Sequence, residues 1–199
     1  MTLGEAAARR LRARAPLPVD PARPIAVKRN VHEATIGADA DAFAAAFRAV
    51  LAGDDDFGAI RVKRLPGRDG SAFVVGERFA GAVSLAALGL RLPARVAEWL
   101  EDRFLSDYAE LVELGPRSAR YVYLSGAPLA GQSTFVVQPD GPGRCRFVQT
   151  FEYQEVGPAA IFALHLFGVR AHDGITAEQL RRAAARVGAP ILSSTLRAG

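Results

Sequence analysis

The sequence predicts an α+β fold in which a run of antiparallel strands is followed by a helical C-terminal segment. Three observations support this prediction. Apolar and polar side chains alternate through the middle of the chain, as they do in strands with one buried face. The longest pair of such segments flanks residues 139–143 (PDGPG), a strong turn signal. After residue 157 the apolar residues change to the spacing of helices.

Length and charge limit the function classes. The chain has 199 residues, of which half are hydrophobic and 23% are charged. This composition excludes wholesale disorder and suits one domain over residues 25–199. The formal net charge is +4. Residues 1–24 contain five Arg against Glu5 and Asp20, so most of that charge lies there and the rest of the chain is nearly neutral.

Residues 1–24 are predicted to form a flexible basic N-terminal arm. The segment 3–15 is rich in Ala and Arg and favours a helix, whereas the prolines at 16, 18, 21 and 24 favour an extended linker. One interpretation is a solvated terminus, and the alternative is an arm that contacts an acidic surface or a phosphate backbone. No aromatic residue lies among the arginines to stack on bases, so no nucleic-acid partner is expected.

The sequence gives no sign of secretion or membrane insertion. Cys145 is the only cysteine, which excludes an intrachain disulfide. No uninterrupted apolar stretch reaches the roughly 18 residues that cross a bilayer. No apolar run follows Arg9-Arg10, as a signal peptide would require. A cytoplasmic protein without a membrane span is therefore expected.

The main domain is predicted to begin with one strand and two short helices. The strand covers residues 25–36, and Asp39 or Asp41 is the expected N-cap of the first helix. A second short helix is expected from Asp54. The first helix is recognised by apolar residues that repeat on one helix face, namely Phe43, Phe47, Val50 and Leu51.

Antiparallel strands are predicted to follow, interrupted by an insertion that contains the only Trp, Trp99. Pro93 is expected in the first turn of a short helix within this insertion. The predicted strands are Ile60–Leu65, Ala72–Leu85, Arg103–Leu114, Arg120–Leu124, Ser133–Gln138 and Arg144–Val156.

The C-terminal segment is predicted to contain two helical stretches. Ala159–Val169 is apolar nearly all round, which indicates burial against the sheet. His172-Asp173-Gly174 predicts a break. Thr176 and Gln179 then have the spacing of a capping box, which predicts a new helix that ends at Gly188.

This order of elements, together with residues 73–79 (FVVGERF), residues 121–126 (YVYLSG) and the final hairpin and helix, resembles the START/Bet v1-like superfamily. That superfamily includes bacterial polyketide cyclase/dehydrase-like and lipid-transport proteins. The resemblance covers about residues 25–190. It implies a helix-grip fold, a curved antiparallel sheet wrapped around a long C-terminal helix with a cavity between them. The insertion at 85–100 and the break at 172–174 depart from that pattern.

The inward-facing side chains of such a fold are the candidate ligand-binding residues. Most are aromatic or aliphatic, and three are polar groups of interest: Glu77, Gln149 and His165. The candidates are Phe73, Val75, Glu77, Phe79, Tyr121, Tyr123, Phe135, Phe147, Gln149, Phe151, Tyr153, Phe162 and His165.

Two of these polar candidates carry open alternatives. Glu77 alternates with Phe73 and Phe79, which would bring a carboxylate into an apolar pocket. The alternative is that the register changes near the strand end, or that Glu77 pairs with an Arg on a neighbouring strand. His165 is either a cavity acid or base, or a buried core histidine.

The sequence contains no nucleotide-binding loop, zinc motif or nucleophile elbow, so no cofactor or metal is expected. The leading hypothesis is binding or transport of an apolar or amphipathic small molecule, lipid or polyketide-like, in the cavity. One alternative is a cyclase/aromatase-like enzyme in which Glu77, Tyr123 or His165 transfers protons. Another is a protein-interaction module that forms a homodimer through the Leu88–Trp99 insertion.

Overall fold

The structure, a computed structural model, consists of an eight-stranded antiparallel sheet and four helices among the residues it describes. These residues are 5–23, 25–53, 57, 60–65, 73–86, 90–104, 106–156 and 169–198. The helices are α1 (Glu5–Arg12), α2 (Ala40–Gly53), α3 (Ala94–Phe104) and α4 (Val169–Arg186). The strands are β1 (Lys28–Ile36), β2 (Ile60–Leu65), β3 (Arg78–Val83), β4 (Ser106–Leu114), β5 (Ser118–Tyr123), β6 (Leu129–Pro139), β7 (Cys145–Glu155) and β8 (Ile191–Ala198).

The sheet has the order β2-β3-β4-β5-β6-β7-β1-β8. Each strand from β2 to β6 pairs with the next one along the chain, and β1 lies between β7 and β8. The predicted hairpin at 139–143 is confirmed, because Pro139 pairs with Cys145 and the left-handed Gly141 and Gly143 form the turn. Large antiparallel sheets of this kind bury one face against helices and expose the other.

Aromatic contacts fix α2 on the inner face of the sheet. Phe47 lies 4.8 Å from Phe147 and 4.9 Å from Phe135 between ring centroids, and both partners belong to the β6–β7 hairpin. Phe43 makes an edge contact with Phe147 at 6.4 Å. Asp39 is the N-cap of the helix, since its carboxylate accepts the backbone N–H groups of residues 41 and 42. The helix predicted from the spacing of its apolar residues is therefore confirmed.

The C-terminal helix α4 is continuous, so the break predicted at His172-Asp173-Gly174 is wrong. A glycine in a helix interior costs only about 1 kcal/mol. The packing of Leu180, Ala183 and Ala184 in the core offsets that cost, because all three are fully buried. Thr176 lies within the helix and does not cap it. The predicted end is confirmed: Gly188 adopts a left-handed conformation just after the last turn.

Strand β8 was not predicted. It pairs antiparallel with β1, and the carbonyl of Pro190 accepts the N–H of Gly37 beside it. Its residues from Ile191 to Arg197 are exposed, so hydrogen bonds to β1 hold the strand and no buried face marks it in the sequence. This strand forms one edge of the sheet.

Three predicted strands begin at least three residues later than expected, and the first of them starts at Lys28 and not at residue 25. The strand expected over Ala72–Leu85 starts at Arg78, because residues 73–77 form a turn in which the N–H of Glu77 donates to the carbonyl of Val74. The strand expected from Arg103 starts at Ser106, since α3 continues to Phe104. Pro93 does precede the first turn of α3, as predicted. The second short helix expected from Asp54 and the apolar helix expected over 159–169 lie on residues outside the described ones.

The described part of the N-terminal segment contacts the sheet. The Arg78 guanidinium donates to the carbonyls of Leu11, Arg12 and Arg14 at the end of α1. Leu17 then hydrogen-bonds the carbonyl of Tyr123 at 2.7 Å. Hydrogen bonds do not measure mobility, so the division into a flexible arm (1–24) and one domain (25–199) stays a prediction. None of the described helices is both long and apolar enough to cross a membrane.

Phe147→Ala should lower the free energy of unfolding by about 3–5 kcal/mol, because it opens a cavity between α2 and the sheet. Phe147 is fully buried (0% exposed). Urea denaturation measures the change. The matched control is Val136→Ala on the neighbouring strand, where the side chain is 37% exposed. The control should change stability by less than about 1 kcal/mol, and equal losses in both variants would contradict the assignment of this core.

Candidate ligand-binding cavity

A cavity of about 180 Å³ lies between the inner face of the sheet and helices α2 and α4. Strands β2 to β7 each contribute side chains to its wall. Phe47 and Leu51 reach it from α2, and Ile175, Thr176 and Gln179 reach it from α4. Most of the lining is aromatic or aliphatic, with a few polar groups, which is the usual composition of a ligand pocket.

Small residues at the centre of β3 and β4 create the space. Gly81 is paired with Asp107, and Ala109 lies between Phe79 and Tyr123 in the register of the sheet. A methyl group added at Gly81 would meet only the side chain of Ile60, at 3.5 Å. Side chains of cross-strand neighbours normally cover the face of a sheet. Because Gly81 on β3 and Ala109 on β4 are both small, they leave a depression beside Asp107.

Asp107 brings an unsatisfied carboxyl group to this depression. It lines the cavity, and its buried Oδ1 atom has no hydrogen-bond partner among the described residues. Burial raises the pKa of Asp107 to about 7, because desolvation disfavours the charged form. The pKa of the neighbouring Tyr123 hydroxyl is raised well above its usual value by burial and then by the charge of Asp107.

A second polar group in the cavity, the Gln149 amide, has a hydrogen-bond partner on each side. The Thr176 hydroxyl donates to Gln149 Oε1 at 2.9 Å, and Gln149 Nε2 donates to the Ser133 hydroxyl at 3.2 Å. The line joins α4 to strands β7 and β6. It therefore fixes the orientation of the Gln149 amide.

Glu77 is paired with an arginine of the neighbouring strand, as one of its two interpretations required. Arg64 Nη1 donates to Glu77 Oε1 at 3.3 Å, and Arg64 Nη2 donates to the carbonyl of Leu51. Glu77 Oε2 accepts the N–H of Phe73 at 2.5 Å and holds that residue at φ 57°. Glu77 is 1% exposed and does not line the cavity. It positions Arg64, which does.

The structure distributes the predicted site residues over several environments. Phe73 and Phe147 belong to the main core, and Val75 is 59% exposed. Phe151 and Tyr153 form a second apolar cluster with Leu129. Phe162 and His165 lie outside the described residues, and ligand contacts stay a prediction throughout. The predicted residues that do line the cavity are Phe79, Tyr121, Tyr123, Phe135 and Gln149.

Asp107 was missed in the sequence although a signal for it exists. It alternates with Ala109 and Leu111, whose side chains are buried on the inner face of β4. That alternation places the carboxyl group on the same face. Arg64 and Thr176 were missed for a different reason: their roles depend on partners in other elements, which sequence spacing does not show.

The insertion before β4 carries exposed apolar side chains. Leu90, Leu92 and Val96 are each more than two-fifths exposed. Glu101 fixes α3 to the sheet, because its carboxylate accepts the N–H of Leu85 at 2.7 Å and pairs with Arg61 at 2.5 Å. The homodimer predicted through Leu88–Trp99 stays a prediction.

Comparisons with known proteins identify the fold. No protein-family model matches the chain, and no curated protein matches it significantly in sequence. Among solved structures, a norcoclaurine synthase point mutant from Thalictrum flavum, in complex with a transition-state analogue, has a TM-score of 0.57 at 15% identity, covering 83% of this chain and 99% of that one. The Zhui aromatase/cyclase from Streptomyces sp. R1128 has a TM-score of 0.54 at 18% identity, covering 81% and 96%.

Identities this low establish the fold and nothing further. The protein shares the α+β fold of these two solved structures, and the predicted helix-grip arrangement is confirmed. Its large antiparallel sheet and C-terminal helix enclose the cavity described above.

Asp107 should make the fold less stable as the pH rises from about 4 to about 7. The unfolded chain releases this proton near pH 4, whereas the folded protein holds it up to about pH 7. Between these values the folded state binds more protons, so the free energy of unfolding falls with rising pH. The loss is up to about 4 kcal/mol at 1.4 kcal/mol per pKa unit.

Asp107→Asn should remove that decline, and urea denaturation between about pH 4 and pH 8 measures it. The variant should also be more stable than the parent at neutral pH, because an amide replaces a desolvated carboxylate. Parallel pH profiles for the two proteins would contradict the burial of this group.

Glu77→Gln should lower the free energy of unfolding by about 3–5 kcal/mol, because it removes the carboxylate that a buried guanidinium contacts. The Arg64 side chain is only 14% exposed. The matched control is Glu113→Gln, which breaks an ion pair with Arg120 at the surface. Chemical denaturation should show little change in that control, and similar losses in both variants would contradict the structural role of Glu77.

Proposed function

We propose that the protein binds a compact apolar or amphipathic small molecule in the cavity between the sheet and α4. The observation that carries this proposal is the depression at Gly81 and Ala109, which is lined by aromatic rings and opens beside polar groups. Pockets of this composition take ligands whose body is apolar and whose few polar atoms fix the orientation.

The size of the cavity favours a ligand with one ring. An engineered protein cavity of about 150 Å³ binds benzene, and this cavity measures about 180 Å³. A ring with a short polar substituent fits such a volume. A long acyl chain would have to extend beyond it, so a ring of the polyketide type is favoured over a lipid.

Acid–base chemistry on the ligand is the alternative function. Asp107 and Tyr123 both line the cavity, and a carboxyl group with a pKa of about 7 exchanges protons readily at neutral pH. Two proteins of similar fold carry the names norcoclaurine synthase and aromatase/cyclase, which supports this alternative. Glu77 is not part of it, because its carboxylate is already paired with Arg64.

Native mass spectrometry of the purified protein separates the two functions. A bound molecule released unchanged supports binding, and its turnover by fresh protein supports the enzyme. If Asp107→Asn and Tyr123→Phe leave that turnover unchanged, the acid–base alternative is overturned. We keep a cytoplasmic location and the absence of a nucleic-acid partner as parts of the proposal.

Filling the depression should abolish binding of a single-ring probe. Ala109→Leu brings a larger side chain between Phe79 and Tyr123, and we expect it to weaken the binding of ethylbenzene more than tenfold. Gly81→Ala fills less of the cavity and should therefore weaken ethylbenzene binding by a smaller factor. Isothermal titration calorimetry measures both.

The matched control is Val136→Leu, which adds volume on the outer face of β6. It should leave ethylbenzene binding unchanged. Overpacking of a core position costs about 1–3 kcal/mol, so thermal unfolding must show that both cavity variants are folded. Folded Ala109→Leu protein that binds the probe as tightly as the parent would refute the cavity as the binding site.

A further inference from the structure

Asp107 places a carboxyl group in the wall of the cavity. Its Oδ1 atom is buried and accepts no hydrogen bond from any described residue. The guanidinium group that lines the same cavity, Arg64, donates to Glu77 and to the carbonyl of Leu51. A buried polar group without a partner costs free energy, so a ligand that donates a hydrogen bond to this oxygen is favoured.

Three aromatic residues line the cavity on the strands next to Asp107. On the inner face of the sheet, Asp107 lies one inward position from Ala109, and Ala109 is flanked by Phe79 and Tyr123. Tyr121 lines the cavity beside them and contacts Phe79 edge-on at 5.2 Å between ring centroids. The faces of aromatic rings carry partial negative charge and attract cations. The carboxyl group and the rings therefore both favour a positively charged ligand.

Charged side chains on the outer face are engaged elsewhere. On that face Arg78 pairs with Glu110 at 2.7 Å, and Arg14 lies over the ring of Tyr108 at 3.6 Å. From α3, Glu101 pairs with Arg61. On the cavity side, the titratable groups near Asp107 on the neighbouring strands are Arg64, Tyr121 and Tyr123.

We propose that the ligand carries an organic ammonium group, which forms an ion pair with Asp107 while its apolar body occupies the space beside Gly81 and Ala109. This inference rests on the proposed binding function. A neutral hydroxyl would satisfy the oxygen but supply no charge opposite to that of the carboxylate. An ammonium group supplies both the hydrogen bond and the opposite charge, and such charge-assisted bonds are about twice as strong as neutral ones.

The ion pair should make binding of an ammonium ligand stronger as the pH rises. Asp107 must be ionised to bind the ammonium group, and its pKa in the free protein is about 7. The ionised fraction therefore rises about tenfold between pH 6 and pH 8. Binding of an amine that stays protonated in this range should strengthen by about the same factor. Binding of a neutral molecule of equal size should not.

Three molecules of equal size test the proposal: benzylamine, benzyl alcohol and ethylbenzene. Isothermal titration calorimetry on the full chain at pH 6 and pH 8 gives each affinity. At pH 8 we expect benzylamine to bind at least tenfold more tightly than the other two. In Asp107→Asn, which preserves the shape of the side chain, that preference and its pH dependence should disappear, while ethylbenzene still binds.

Each other outcome overturns a different statement. If all three molecules bind equally well and Asp107→Asn changes none of them, the ammonium inference is wrong and the cavity function stands. If benzyl alcohol is preferred, Asp107 recognises a neutral donor and the inference is also wrong. If none of the three binds, the cavity function and the inference fall together. Should Asp107→Asn not fold, the pH dependence of the parent protein decides the matter alone.

Discussion

The contact between α2 and the β6–β7 hairpin determines how the rest of the inner face is used. Phe43 and Phe47 insert against Phe135 and Phe147, and these rings fill the space between helix and sheet at that end. Helices covering a broad sheet cannot touch every strand at the same distance. Where the aromatic contact stops, Gly81 and Ala109 provide no volume to continue it, and the remaining gap is the cavity.

Polar groups on the inner face also differ between the closely packed region and the cavity. Where the sheet meets α4 closely, they are linked in short chains such as Thr176, Gln149 and Ser133. At the rim, Arg64 is held by Glu77 and the end of α2. Beside the two small residues, the Oδ1 atom of Asp107 has no such support among the described residues. Functional sites are where proteins tolerate a group that lowers their stability, and Asp107 fits that description on burial and hydrogen bonding together.

Sequence patterns correctly predicted the elements that depend on residues close together in the chain. The β6–β7 hairpin followed from its turn residues, and α2 followed from the spacing of its phenylalanines. The break at His172-Asp173-Gly174 was wrong because packing on α2 outweighs the low helix propensity of these residues. Strand β8 was missed because it has no buried face. The strand around Glu77 was extended too far because FVVGERF alternates like a strand, while the buried ion pair with Arg64 folds its first half into a turn.

The candidate site was only partly predictable for the same reason. Tyr121, Tyr123, Phe135 and Gln149 were expected inside because alternation gives the face of a strand. A cavity was implied by the family resemblance, but its position was not predicted. That position depends on Gly81 and Ala109, which the pairing of β3 with β4 brings to either side of Asp107. Register depends on pairing between strands, and single-sequence patterns do not contain it.

The position of β1 has a consequence for how the chain acquires this fold. Among the described strands β1 is the first along the chain, yet its partners β7 and β8 are the last two, and Lys28 pairs with Tyr153. The segment before it is in the same situation, since Leu17 bonds to Tyr123 and Gly131. During synthesis both must wait until more than a hundred further residues have been made. Contacts of such long range slow folding. A chain that stops before residue 191 lacks β8 and leaves one edge of β1 unpaired, exposing a strand that other chains can join.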